Sequence, residues 1–277
     1  MMLDCAGKPL DLSVPRVMGI LNVTPDSFSD GGRFVDTAAA VARARAMVEE
    51  GAAIIDVGGE STRPGAVAAT VQEELDRVLP VIGALVAELP VPVSVDTGKP
   101  EVMRAAVAAG AGMINDVYAL RQPGALAAAA ALGVPVCLMH MQGEPRTMQQ
   151  APHYDDVVAE VAGFLADRVA ACVEAGISRS RLLLDPGFGF GKSLEHNLAL
   201  LRHLPDLLAP DLPLLVGMSR KSMIGAVLDA PLAGRLHGSV AAATLAAWLG
   251  ASIVRVHDVG PTVEALKIVA AVQRSGG

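Results

Sequence analysis

The sequence predicts an α/β fold, a single (β/α)8 TIM barrel formed by residues 1–277. Three observations predict it. Eight short apolar runs each end at a polar residue or a glycine corner. Most are followed by a stretch whose apolar residues recur at helical spacing. Gly51, Gly110, Gly133, Gly176 and Gly250 each follow a helical stretch and precede an apolar run, which is where a helix C-cap glycine belongs. Strand, polar residue, loop and helix repeated eight times is the rhythm of this barrel, whose ligands bind at the C-terminal ends of the strands.

The first run, 17–21, ends at Asn22. A loop over 22–36, rich in Gly, Pro, Ser and Thr, separates it from a helical pattern over 37–50. The run 54–57 turns at Gly58-Gly59-Glu60 into a similar loop over 58–70 and a helix over 70–88. Runs 93–95 and 113–114 end at Asp96 and at Asn115-Asp116. Run 134–139 ends at His140, and a third long loop, 140–154, leads to a helix over 155–175. Asp155-Asp156 places negative charge where it complements that helix dipole. Run 182–184 ends at Asp185, and 214–216 leads through Met218-Ser219-Arg220-Lys221 towards a helix over 234–249. The last run, 253–256, is followed by His257-Asp258 and a helix over 262–274. Loops this long between strand and helix are often functional.

Hydrophobic residues are 52% of the chain and aromatics only 3%, so Ala, Val, Leu and Ile must fill the core. No apolar run reaches the length of a membrane span. Residues 1–16 lack a basic start followed by an apolar stretch, so no secretion signal is expected. Cys5, Cys137 and Cys172 are far apart and show no metal-ligand spacing, which fits a reduced cytoplasm. A net charge of −7 argues against a nucleic-acid binder, though a local basic cluster can still hold a small anion.

The run from Asp185 to Ser193, DPGFGFGKS, nearly matches a phosphate-binding loop. Gly191, Lys192 and Ser193 fit, but Pro186 stands where the first glycine is required. The even spacing of Gly187, Gly189 and Gly191 also fails the dinucleotide fingerprint. A tight strand-to-helix turn accounts for the segment, with Asp185 emerging at the strand end.

Asp96, Asn115 and Asp185 each end a buried strand, and each alone reads equally well as a cap for the following helix. Together they set two carboxylates and an amide around one barrel mouth. Ionised carboxylates only accept hydrogen bonds, so the set suits a polar heterocycle with several ring N–H groups. Lys221 and Arg255 bring positive charge, and Ser61, Thr62, Arg63, Arg255 and His257 form a group suited to an anion. For Arg63 and Lys221 the alternative is a solvated loop charge. Arg255 and His257 are two residues apart on one strand and so point to one side. Loss of Arg255 is therefore expected to weaken ligand binding with stability nearly unchanged. His140 lacks a second His or Cys at ligand spacing and reads as structural, and Asp116 and Asp258 read as helix caps or supporting groups.

Longer motifs then point to a known family. MGILNVTPDSFSDGG from Met18, IDVGGESTRPGA from Ile55, VSVDT from Val93 and INDV from Ile114 resemble dihydropteroate synthase. So do MHMQGEPRTMQ from Met139, LDPGFGFGKSLEHN from Leu184, GMSRKSMIG from Gly217 and RVHDV from Arg255, in the right order over nearly the whole chain. The resemblance implies an enzyme that joins 6-hydroxymethyl-7,8-dihydropterin pyrophosphate to p-aminobenzoate, giving 7,8-dihydropteroate and pyrophosphate in folate synthesis, with Mg2+ required. By position it implies that Asp96, Asn115, Val117, Met139, Asp185, Lys221 and Arg255 bind pterin. It implies Asn22, Thr62, Arg63, Arg255 and His257 at the pyrophosphate, Asn22 also at the metal, and Phe28, Arg63, Pro64, Phe190 and Ser222 at p-aminobenzoate. Asp30 resembles the carboxylate facing the cationic intermediate; with Arg63, Lys221, Arg255 and His257 it forms the expected catalytic set. A cytoplasmic homodimer with small-molecule substrates, binding neither nucleic acid nor membrane, is implied. Gly98 and His237 depart from many members. Two rivals are a methyltetrahydrofolate:corrinoid methyltransferase, which does not need the two long loops, and a pterin-binding paralogue without synthase activity, which should have lost some of these residues.

Overall fold

A feature that the apolar runs do not announce opens the chain: an antiparallel hairpin of β1 (Met2–Cys5) and β2 (Lys8–Asp11). Its turn residues Ala6 and Gly7 have φ of 53° and 82°, the left-handed pair that matches the twist of a two-residue hairpin. Leu3, Cys5, Leu10 and Leu12 pack against Met18, Ile54, Met113, Cys137, Leu183, Leu215 and Ile253, closing the N-terminal end of the barrel. The structure is a computed structural model and describes residues 1–24, 37–61, 68–207, 209 and 211–275.

The remaining elements run β3 (Arg16–Asn22), α1 (Thr37–Glu49), β4 (Ile54–Gly58), α2 (Val71–Glu88), β5 (Val93–Asp96), α3 (Pro100–Ala108), β6 (Met113–Asp116) and α4 (Ala125–Leu132). They continue β7 (Val136–Met139), α5 (Val157–Glu174), β8 (Leu182–Asp185), α6 (Leu194–Arg202), β9 (Leu215–Val216), α7 (Ser222–Leu228), α8 (Leu236–Trp248), β10 (Ile253–Val256) and α9 (Val259–Arg274). Strands β3 to β10 pair in parallel in the order β8-β7-β6-β5-β4-β3-β10-β9. A parallel bridge between Leu184 and Leu214, with the Leu184 amide donating to Pro213 O at 3.0 Å, joins the two ends into a barrel. Each of the eight expected apolar runs supplies one of these strands.

The glycines behave as their positions require. Gly51, Gly110, Gly133, Gly176 and Gly250 have φ between 77° and 108°, a region that costs other residues steric strain. Asp156 caps α5 by accepting from the Val158 and Ala159 amides at 3.0 Å. Most helix ends lie within two residues of expectation; the largest shift is at α9, which begins at Val259, three residues before the expected start at 262. Pro261 lies in its first turn, where a missing N–H leaves no hydrogen bond unmade.

Among the described residues no helix is long and apolar enough to cross a membrane. The three cysteines are free and buried. Burial pushes the Cys5 thiol up to about 12 and Cys172 to about 11, and raises Cys137 well above the usual thiol range. Thiolate is the reactive form, so native protein at about pH 8 will leave all three unmodified by an aromatic disulfide reagent. All should react once denaturant is added; rapid labelling of native protein would contradict this packing.

Candidate active site

Parallel pairing sets the strand ends at one level. Gly58 pairs with Asp96, Asp96 with Asn115, and Met139 with Asp185. The centre of the mouth is Arg255 on β10. Its Nε donates to Asp56 Oδ2 at 2.6 Å and its Nη2 to Asp96 Oδ2 at 2.7 Å. Asn115 Nδ2 donates to the same Asp56 oxygen at 3.0 Å. Burial works against the Arg255 charge, but Asp56 and Asp96 outweigh it and hold the guanidinium above its ordinary range. Burial raises the Asp96 carboxyl, against the pull of Arg255.

Asp56 was not foreseen. It is fully buried within β4, and its Oδ1 has no hydrogen-bond partner. The available signal was a carboxylate inside the apolar run 54–57 of a strand covered on both faces. The expected role of Arg255 is corrected accordingly. Two of its five N–H donors are committed to carboxylates, so it is a structural member of the site as well as a candidate ligand contact.

On the opposite wall, Asp185 is 5% exposed and its Oδ1 accepts the Gly187 amide at 2.7 Å. Burial raises its carboxyl above the ordinary range, with Lys221 pulling the other way. Lys221 donates to Phe188 O and sits 4.5 Å over the Phe190 ring. Burial draws its ammonium down to about 8, opposed by Asp185. Val117 and Met139 pack with Met141 and Met148, and with Tyr118 and Phe190 at the edge, into an apolar shelf beside these polar groups.

Asn22 ends β3 opposite Gly58. A Cβ on Gly58 would lie 3.4 Å from Asn22 Oδ1 and 3.6 Å from Asp96 Cβ, so the bare backbone keeps this corner tight. His257 Nδ1 lies 3.1 Å from Ser219 Oγ, which also accepts the His257 amide at 3.2 Å. Arg220, one residue before Lys221, pairs with Asp258 at 2.5 Å. Ser222 is exposed at the first turn of α7. Glu60, at the root of the second loop, accepts from Lys99 through one oxygen and from the Ala69 amide at 3.2 Å through the other, tying both ends of the loop. Phe28, Asp30, Thr62, Arg63 and Pro64 lie outside the described residues. Two residues expected to be bland or supporting have defined partners: Asp116 accepts the Tyr118 and Leu120 amides at 2.8 Å, and the His140 ring packs edge-on to Phe164 at 4.9 Å.

The mouth therefore offers carboxylates on both walls, a cation and an aromatic ring beside Asp185, and an apolar shelf. The chain matches the family described as pterin binding enzyme over residues 18–257. It is 58% identical over 271 residues to dihydropteroate synthase of Escherichia coli (strain K12), covering 98% of this chain and 96% of that protein. The chain belongs to the dihydropteroate synthase family. Among solved structures it is similar to a dihydropteroate synthase from Xanthomonas albilineans with 4-aminobenzoic acid, with TM-score 0.93, 61% identity and 98% of each chain covered. A complex of dihydropteroate synthase from the same organism with 7,8-dihydropteroate gives TM-score 0.90 and 58% identity, with 99% of each chain covered. At Gly98, expected to depart from many family members, a Cβ would come within 2.5 Å of the Tyr118 ring. Tyr118 occupies the space that any larger residue at 98 would need.

Proposed function

We propose that this chain condenses 6-hydroxymethyl-7,8-dihydropterin pyrophosphate with p-aminobenzoate to give 7,8-dihydropteroate and pyrophosphate. The observation that carries the reading is the arrangement of Asp96, Asn115, Asp185 and Lys221 beside the Val117–Met139 shelf. A flat ring fits against the shelf while its amine and ring N–H groups donate to carboxylate, and Lys221 donates to its carbonyl. Phe190 and Ser222, with Phe28, Arg63 and Pro64, are the proposed p-aminobenzoate side. Asn22, Thr62, Arg63, Arg255 and His257 are the proposed pyrophosphate side.

The reaction breaks the bond between the pterin methylene carbon and the pyrophosphate oxygen, and the electron pair leaves with the anion. The dihydropterin ring delocalises the positive charge, which Asp30 and the buried carboxylates favour. The neutral aromatic amine then forms the carbon–nitrogen bond and releases one proton, so no strong base is required. Fixed charges around developing charge are usually the largest catalytic contribution. Among the described residues no group of three or more His, Cys, Asp or Glu could hold a metal. The Asn22 amide oxygen fits an ion that arrives on the pyrophosphate, since Mg2+ keeps several waters and takes few protein ligands. When bound, Mg2+ would supply charge neutralisation to the leaving group. Residues 1–277 would act as one unit, in a cytoplasmic homodimer.

The test is pyrophosphate release by purified protein, with and without p-aminobenzoate. Release should accelerate with the amine and match 7,8-dihydropteroate formed, mole for mole. Release with no amine incorporated would refute the synthase reading.

A further inference from the structure

Lys192 belongs to the glycine-rich segment that resembles a phosphate-binding loop, yet it is buried at 3% exposure. Its Nζ lies 2.9 Å from Gly187 O, 3.0 Å from Phe190 O and 2.9 Å from His140 Nδ1. With His140 O farther off at 3.5 Å, these acceptors surround the lysine nitrogen and leave it no donor to offer a ligand. Burial lowers the His140 ring to about 3, helped by Lys192, leaving Nδ1 neutral and able to accept. Among the described residues no carboxylate lies within ion-pair distance of Lys192. Burial draws the Lys192 amine down to about 7, with Asp185 pulling the other way. The segment thus inverts a phosphate-binding loop: backbone carbonyls turn inward around an amine donor, where amides would turn inward around an anion.

The glycines make this wrapping possible. Gly187 and Gly191 have φ of 67° and 63°. A Cβ on Gly187 would lie 1.9 Å from His140 O, and one on Gly191 2.3 Å from Gln142 O. Each end of the wrapped segment touches the ligand pocket. Gly187 gives its carbonyl to Lys192 and its amide to Asp185 Oδ1. Phe190 gives its carbonyl to Lys192 and its ring to Lys221.

We infer that Lys192 is a positioning residue, an internal hydrogen-bond donor that folds residues 185–192 around itself and thereby aims Asp185 and Phe190 at the substrates. This rests on the reading of Asp185 as a pterin ligand. Lys192 touches neither substrate and acts through the Gly187 and Phe190 carbonyls. Its removal should therefore disturb the pterin wall and leave the anion side, on β3 and β10, as it was.

Lys192→Met keeps the aliphatic stem and deletes the donors. By calorimetry, 6-hydroxymethylpterin should bind the variant about 10- to 100-fold more weakly than wild type. Pyrophosphate with Mg2+ should bind within about twofold of wild type, a split that general loosening of the barrel would not produce. Unchanged pterin binding, or equal weakening of both ligands, overturns the inference. If wild type itself fails to bind the pterin, the proposed function falls and takes this inference with it. Should the Met variant not fold, wild type answers by hydrogen exchange. The Gly187 and Gly189 amides, held by Asp185 and Asn197 at 2.7 Å, should be protected without ligand. Exchange at the open-chain rate would show that residues 185–192 are not a held segment, and the inference falls.

Discussion

Arg255→Ala will lower the free energy of unfolding by about 3–5 kcal/mol, because it leaves a buried carboxylate without its cation. Asp56 is fully buried and Arg255 is its ion-pair partner at 2.6 Å. What remains is the Asn115 amide on the same oxygen. Asp96 loses its ion pair as well. The melting temperature should fall by roughly 10 °C in a chain of this size. Adding Asp56→Asn to the variant removes the stranded charge and should recover part of the loss. Denaturant unfolding of both variants checks this, and wild-type stability in the single variant would show that the bridge contributes nothing. The expectation that Arg255 could be removed with stability nearly unchanged treated it as a ligand contact only. Its two carboxylate partners overturn that.

Asp185→Asn will weaken pterin binding by about 10-fold to more than 100-fold, from roughly 1.5–3 kcal/mol for the charged hydrogen bonds plus an unsatisfied donor. The structure decides which way the new amide points. The Gly187 amide donates to Oδ1 at 2.7 Å, so asparagine must place its carbonyl oxygen there to keep the turn. Its NH2 then takes the place of the second carboxylate oxygen and meets the donor edge of the pterin. The barrel survives because the turn keeps its acceptor. Calorimetry with 6-hydroxymethylpterin, alongside a melting curve, measures both halves. Wild-type affinity in the variant would reduce Asp185 to a turn residue and withdraw the pterin assignment.

The strand ends were legible for a physical reason. A parallel strand covered on both faces reads as a mostly apolar run, and the polar residue that closes it pairs at the C-terminal rim of the sheet. Asp96, Asn115 and Asp185 were found that way and share one mouth, joined there by Lys221. The N-terminal hairpin was not legible, since its four-residue strands acquire an inner face only where the barrel floor covers them. The roles of Phe28, Asp30 and Pro64 rest on resemblance alone, whereas Thr62 and Arg63 also read as an anion group from their place after a strand end.

Sequence by itself determined the barrel, its strand order of use and the level at which polar side chains collect, because apolar spacing and glycine corners are local properties of the chain. Only the tertiary structure decided how those side chains are paired. Arg255 meets Asp56 across 199 residues of sequence and Lys192 meets His140 across 52. Such pairs carry no local signal: a carboxylate in an apolar run or a lysine after glycines has many readings until the closed sheet removes water and supplies one partner. Burial makes an unpaired charge costly, and that cost, set by the fold, fixes which groups are free to meet a substrate.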